Sequence, residues 1–410
     1  MPLPVSTWVE IDLDRFQANL RAIRELVGAK REVLLLAKAD AYGHGAVEMA
    51  EAAEREEVSQ LGVATLHEGM QLRLAGVSMP IVALSPLLPT EAADAVAHAI
   101  DPTVADLAFA RKLSAEAQRA GRAVRCHIEV DTGMGRTGVG ESDALAFVRE
   151  VGSLPGLRIA SLYTHFPDAD SPDPAFSHAQ FARFQLIVDQ LRAEELLPPR
   201  IHAANSAATV NLPDTYLDLV RVGLIAYGVH PPHDRLQPAV LPVMSLRSRL
   251  VQVRELPAGT PISYSRTHVT TRSSRIGVVA VGYGHGYSWL LSNRGEMLVH
   301  GKRARILGRV TMDLTMIDLT DHGDCQVGDE VVLFGEQGGA EVSIEEVAGW
   351  SETLTYEVVC TIGKRVTRLY TRGGRAVRMA TLVGERPEWT AGADIYLRGR
   401  AAASAATRKG

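Results

Sequence analysis

The stretch Val33-Leu34-Leu35-Leu36-Ala37-Lys38-Ala39-Asp40-Ala41-Tyr42-Gly43-His44-Gly45 decides the fold. An unbroken apolar run of this length reads as a strand buried on both faces, and such strands belong to parallel sheets covered by helices. The run stops at Lys38, and Gly43 and Gly45 announce a turn before the next helix. A lysine closing a parallel strand stands where α/β barrels keep their chemistry. Desolvation disfavours an ammonium, so such an amine deprotonates more easily and can condense with a carbonyl. The plain structural alternative is a surface lysine snorkelling from a strand end. The dense Gly, Tyr and His turn behind Lys38 favours the chemical reading.

The same alternation continues outward from Lys38. Phe16, Leu20, Ile23 and Val27 recur at helical steps before it. Short apolar runs lie at 33–37, 60–64, 81–84, 99–102, 124–130, 158–162, 201–203 and 219–222, with helical patterns such as 105–120 and 181–196 between most of them. Eight strand–helix units predict a closed (β/α)8 TIM-like barrel, a fold of roughly 250 residues. After Pro238–Pro242 the pattern changes to short alternating strands at 251–254, 276–281, 296–299, 304–306, 316–319 and 330–334. The expected organisation is an α/β barrel over 1–240, whose first few residues pack with the second domain, a mostly-β domain over 241–384, and a mobile tail over 385–410.

The 410 residues carry a formal net charge of −5, which argues against a nucleic-acid surface. Cys126, Cys325 and Cys360 form no CxxC or Cys/His ligand spacing, so thiols in a reducing compartment are expected and no metal. The N-terminal Met1-Pro2-Leu3-Pro4 lacks a basic region followed by an apolar stretch, and no run approaches the ~20 apolar residues of a membrane span. A cytoplasmic protein with no membrane partner is the expectation.

Other strand ends repeat the polar pattern. Asp131-Thr132-Gly133-Met134-Gly135-Arg136 offers close backbone approach and an anion-binding fork, or else a structural ion pair. Tyr163-Thr164-His165-Phe166 places a histidine at a strand terminus, where a structural hydrogen bond is the simple alternative. Asn205 and Ser206 suit a helix N-cap, and free N–H groups there also suit an anion. Arg221-Val222-Gly223-Leu224 closes the eighth strand. Barrel phosphate sites favour the loops after the seventh and eighth strands, where Asn205-Ser206 and Gly223-Leu224 fall. A phosphorylated ligand beside an amine suggests pyridoxal phosphate.

At this point the chain resembles the alanine racemase family over nearly its whole length. The motifs are Ala37–Gly45, Asp131–Arg136, Tyr163–Phe166, Asn205-Ser206 and Arg221–Gly223, then Ile262-Ser263-Tyr264, Val281-Gly282-Tyr283, Gly308-Arg309-Val310-Thr311-Met312-Asp313 and Leu354-Thr355-Tyr356-Glu357. The resemblance implies interconversion of L- and D-alanine with pyridoxal 5'-phosphate anchored on Lys38. Tyr42, Ser206, Gly223, Leu224 and Tyr356 would hold the phosphate, with Asn205 and His165 nearby. Arg221 would face the pyridine nitrogen, which a guanidinium leaves unprotonated because it cannot accept a hydrogen bond. Lys38 and the partner subunit's Tyr264 would act on opposite faces of the substrate. An unperturbed tyrosine has a pKa of about 10, so a cationic network, supplied by the Arg221 and His165 that stand next to Tyr264 in family members, would ease its deprotonation. Met312 would present its backbone N–H to the substrate carboxylate, Arg136 would approach that carboxylate and the cofactor's phenolic oxygen, and Tyr283, Arg309 and Asp313 would line a narrow access path. Sharing of residues across copies implies a homodimer.

One departure stands out. Many family members carry a carbamylated lysine where this chain has Glu129, so Glu129 is expected to supply that negative charge to Arg136 directly or through water. Thr311 occupies a position that is often cysteine. Alternatives are a fold-related racemase of serine or basic amino acids, a pyridoxal-phosphate decarboxylase, and a non-catalytic carrier of the cofactor. A decarboxylase would need an acidic partner for the pyridine nitrogen where Arg221 stands, and a carrier would lack the second domain.

Overall fold

A computed structural model describes residues 3–231 and 233–407 and divides them into two compact units, one of residues 17–241 and one formed by the N-terminal sixteen residues together with those from 242 onward. Met1, Pro2 and residues 408–410 of the expected tail lie outside the described residues.

In the first unit, eight parallel strands follow one another as Glu32–Leu36, Gln60–Val63, Ile81–Ala83, Ile100–Val104, Val124–Asp131, Leu157–Tyr163, Ile201–His202 and Leu219–Val222. The first seven pair each with the next, and the eighth pairs with the first, Val220 opposite Val33. The seventh and eighth strands meet through Asp218 N–H to Ile201 O at 3.2 Å and Arg221 N–H to Ala204 O at 2.9 Å. That closes the barrel. Leu34, Val82 and Leu219 fill its interior, with Leu36 and Leu84 against them. Gly62 makes this filling possible, because a Cβ there would lie 2.7 Å from the methyls of Leu34 and Leu36. The barrel is therefore a solid core, and its chemistry is confined to the strand ends.

The second unit is dominated by antiparallel sheet. Its long strand Met244–Leu256 pairs with Ser274–Val279 and Glu330–Gln337, and also with Thr7–Asp12 from the far N-terminus. Thr7–Asp12 pairs in parallel with Thr367–Arg372 on its other side. Trp8, Val9 and Ile11 are buried in this sheet.

The expected mobile tail is instead the helix Pro387–Thr407. Ala393 and Leu397 are buried against Trp8, Leu369 and Met379, with Trp389 and Tyr396 beside them. Arg400 donates to both carboxylate oxygens of Glu10 at 2.6 Å each. The anchors 389, 393, 396, 397 and 400 do follow a helical period, but Ala, Gly and Arg around them dilute the apolar signal. No helix among the described residues is long and apolar enough to cross a membrane.

Candidate active site

Lys38 is half-buried at the end of the first barrel strand and opens a turn of unusual hand. Ala39, Asp40, Ala41 and Tyr42 have φ of 51°, 55°, 53° and 53°, a left-handed helical turn built without glycine. Such residues cost about 1–2 kcal/mol each, so the surroundings must hold them. Ala41 N–H donates to Ala37 O and Gly43 N–H to Ala39 O, both at 3.0 Å. The Glu68 carboxylate accepts from the N–H groups of Ala39 at 2.7 Å, Ala64 at 2.8 Å and Thr65 at 3.0 Å. Asp40 accepts from Ala46 N–H at 2.9 Å. The turn delivers Tyr42 into the barrel mouth, where it is buried with its ring 5.2 Å from that of Tyr227.

Across the mouth, Gly223 N–H donates to Ser206 Oγ at 2.8 Å. A side chain at position 223 would collide with the Tyr42 hydroxyl. Ser206, Gly223 and Tyr42 thus form a polar cradle that exists because residue 223 has no Cβ. Asn205 caps the helix Ser206–Asn211, accepting from Ala208 N–H at 2.9 Å and donating to Phe166 O at 3.0 Å. Leu224 is buried at the start of the following turn.

Arg221 is buried and makes four contacts through its Nη atoms. They reach His202 Nδ1 at 2.7 Å, Thr164 O at 2.8 Å, Ala203 O at 3.0 Å and His165 Nδ1 at 3.2 Å. Burial lowers the guanidinium to about 10, which still leaves it charged near neutrality. Burial, and then the charge of Arg221, push His165 and His202 well below the ordinary histidine value. Both imidazoles are therefore neutral at pH 7.

Arg136 is exposed on a loop that Asp131 shapes by accepting from the N–H groups of Gly133, Met134 and Gly135 at 2.8–3.1 Å. Burial would raise Asp131, but those donors outweigh it and leave the carboxyl below its usual range. Glu129 is buried and accepts from Thr137 Oγ1 at 2.7 Å. Burial raises its carboxyl above the usual range, and the Thr137 hydroxyl and the guanidiniums of Arg221 and Arg136 offset this only in part. Its direct partner is the hydroxyl next in sequence to Arg136.

The remaining expected residues lie in the second unit. Tyr264 starts a short turn after Ser263 and is 72% exposed. Ser263 and Ser265 have φ of 62° and 58°, and Ser263 Oγ ties the turn to Arg309 O at 2.6 Å. Met312 is held by Gly284 N–H donating to its carbonyl at 2.9 Å, while Tyr283 N–H donates to Thr311 O at 3.0 Å. Gly282 permits this approach, since a Cβ would collide with Thr311 O. Asp313 pairs with Arg365 at 2.6 Å, and Arg309 lies 4.3 Å over the Trp289 ring. Tyr283 and Tyr356 are also exposed.

Sequence reasoning missed Glu68, Trp289 and Arg365. For Glu68 a signal existed, the capping box Thr65-x-x-Glu68. It also gave no ligand spacing for a metal, whereas folding brings ligand atoms of His300, Cys325 and Asp329 within 4.8 Å of one another. No disulfide joins the three cysteines.

Comparison with known proteins adds an independent line. The family model described as alanine racemase, N-terminal domain, matches residues 11–231, and the alanine racemase C-terminal domain matches 243–370. An alanine racemase of Desulforamulus reducens is 41% identical over 366 residues, covering 88% of this chain and 98% of that protein. The solved alanine racemase of Clostridium difficile 630 superposes with a TM-score of 0.87 at 33% identity, covering 92% of this chain and 98% of that one. A Bartonella henselae alanine racemase structure with covalently bound pyridoxal phosphate gives a TM-score of 0.80 at 26% identity, covering 90% of this chain and 100% of that one.

Proposed function

The chain belongs to the alanine racemase family, and from that premise we propose that it interconverts L-alanine and D-alanine using pyridoxal phosphate anchored on Lys38. The observation that carries this reading is Arg221, a buried guanidinium among neutral imidazoles at the mouth that also holds Lys38. The residues fit the cofactor. Lys38 supplies the amine and the Tyr42–Ser206–Gly223 cradle suits a phosphate, to which the family resemblance adds the Tyr356 hydroxyl. When bound, pyridoxal phosphate supplies the electron sink that acidifies the Cα–H of an amino acid.

Arg221 limits that sink. A guanidinium only donates hydrogen bonds, so a pyridine nitrogen held against Arg221 would accept from it and carry no proton. A weaker sink favours prompt return of a proton to Cα over side reactions. Lys38 Nζ takes or gives the Cα proton on one face, and the Tyr264 phenol of a second copy does so on the other. The exposure of Tyr264 supports that role, because a side chain serving a partner's site must project from its own subunit. Met312 supports it further. Among the described residues its N–H meets no acceptor, and it is available to a substrate carboxylate. Arg136 meets the same carboxylate, while Tyr283, Arg309 and Asp313 line the access path.

A homodimer follows from this division of labour. A reducing, cytoplasmic setting accords with three cysteines that form no disulfide with one another. The two directions of the reaction supply D-alanine for peptidoglycan or degrade it. Steady-state rates with L-alanine, L-serine, L-lysine and L-arginine test the substrate. Alanine is expected to lead, and a clear preference for a longer amino acid would replace it with a fold-related racemase.

A further inference from the structure

We propose that Ser161 and His127 are positioning residues for the reaction, the outer links of a one-way hydrogen-bond chain from Arg221 through His202 that fixes the tautomer of each imidazole. The inference rests on the role given to Arg221 above.

The chain follows from counting protons. Arginine has no acceptor, so His202 Nδ1, 2.7 Å from Arg221 Nη1, must accept. A neutral His202 then carries its proton on Nε2, which lies 2.9 Å from Ser161 Oγ and donates to it. The Ser161 hydroxyl keeps one proton to give, and His127 Nδ1 lies 2.7 Å away. The reverse assignment, with His127 donating, would leave a buried hydroxyl proton without an acceptor. All three side chains are nearly sealed, with Ser161 and His202 at 1% exposure and His127 at 3%. Every proton therefore points away from Arg221.

Geometry beyond the hydrogen bonds supports the same order. The Tyr163 ring stacks on His202 with centroids 4.9 Å apart and planes 10° from parallel, which fixes the imidazole plane. Arg221 lies 5.0 Å over that same Tyr163 ring. At the far end, His127 Nε2 has no protein partner, and the ring lines a small cavity with Glu32, Gln60, Arg125 and Arg200. Burial and the charges of Arg125 and Arg200 hold His127 neutral, so the chain ends on a neutral N–H. Had His202 taken the other tautomer, an N–H would face the guanidinium N–H, and Arg221 Nη1 would lose its acceptor. A chain of residues at the barrel's closed interior thus orients Arg221, the group that would face the cofactor ring.

Neutron diffraction on the deuterated holoenzyme reads the chain directly. Deuterons are expected on Nε2 of His202 and His127, with the Ser161 deuteron aimed at His127 Nδ1. A deuteron on Nδ1 of either histidine would overturn the proposal, whatever the substrate proves to be. Kinetics gives the second arm, using Ser161→Ala and His127→Leu against the conservative Ser161→Thr and His127→Asn, which keep the hydroxyl and the Nδ1-like acceptor. Each disruptive variant should lower kcat for L-alanine by about tenfold, the cost of one unpaired buried donor, and leave KM within about twofold. The same variants should shift the visible absorption maximum of the bound cofactor, and the conservative ones should not. Cofactor absorption and kcat unchanged in Ser161→Ala would sink the idea. Loss of folding there would move the kinetic test to His127→Leu and His127→Asn. A failure of the racemase reading would show differently, as no alanine turnover in the unmodified protein.

Discussion

An arginine can only donate, and that constraint sets the protonation of everything around Arg221. His165 Nδ1 and His202 Nδ1 both accept from it, so neither ring is the acid or base of the reaction in its resting form. The proposed function gives that work to Lys38 and Tyr264. Tyr264→Phe should keep the cofactor's visible absorption and lower racemisation by about 10²–10⁴-fold, chiefly in the direction that starts from L-alanine, as measured by deuterium loss from Cα. Retained turnover in both directions would assign the second proton elsewhere. Glu129 invites a separate test. Its carboxylate meets Thr137 and is raised by burial, so its charge is poised to respond to the guanidiniums of Arg221 and Arg136. Glu129→Gln should weaken kcat/KM by about tenfold through misplacement of Arg136. Unchanged activity and unchanged Arg136 geometry would remove Glu129 from the account. At this scale Lys38 and Arg221 were legible because each lies at a strand end, and Arg136 because it lies in the glycine-rich loop that follows one. Ser161 and His127 were not, because Ser161 meets partners 34 and 41 residues away, and the capping box of Glu68 gave no sign of its bond to Ala39, 29 residues back.

Among the elements, the left-handed turn Ala39–Tyr42 and the C-terminal helix show opposite failures of sequence reading. The turn was expected from Gly43 and Gly45, yet its strained residues are Ala, Asp and Tyr, types that do not advertise φ near +53°. Three N–H groups converging on Glu68 stabilise it. Glu68→Ala should therefore lower stability by about 1–3 kcal/mol and loosen cofactor retention, read by thermal unfolding and by dialysis of the holoenzyme. The helix Pro387–Thr407 was taken for a tail although its anchors had helical spacing. Its Arg400 completes a buried cluster with Glu10, Arg247 and Glu330. Burial alone would raise Glu10, but Arg247 and Arg400 outweigh it and hold the carboxyl down to about 2. A lowered folded-state value means stability present above the unfolded carboxylate range near 4.5 and lost as pH falls toward about 2. Unfolding temperature should drop steeply across that window. Arg400→Ala should cost about 3 kcal/mol at neutral pH and flatten the acid decline. An unchanged acid limb would mean the cluster is not formed in solution.

For the whole molecule, hydrophobic period alone predicted the barrel and the switch to β structure near 240, because eight apolar runs and helical repeats need no long-range knowledge. The first residues were expected to pack with the second domain, but hydrophobic period did not give the strand Thr7–Asp12, whose register with Met244 and Thr367 is set by partners more than 200 residues away. The division of the site also lies beyond periodicity. Tyr264, Tyr283, Met312 and Tyr356 are exposed on the second unit, while Lys38 and Arg221 sit at the barrel mouth. Exposed aromatic groups of this kind are what an obligate interface covers. The central claim is that Lys38 of one copy works with Tyr264 of another. It is tested most directly by unfolding Lys38→Ala and Tyr264→Phe chains together and refolding them as a mixture. Each variant alone should be inactive. Random pairing makes half the dimers mixed, and each mixed dimer rebuilds one of its two sites, so the mixture should regain about a quarter of wild-type alanine racemisation. A mixture as inactive as its components would contradict the account.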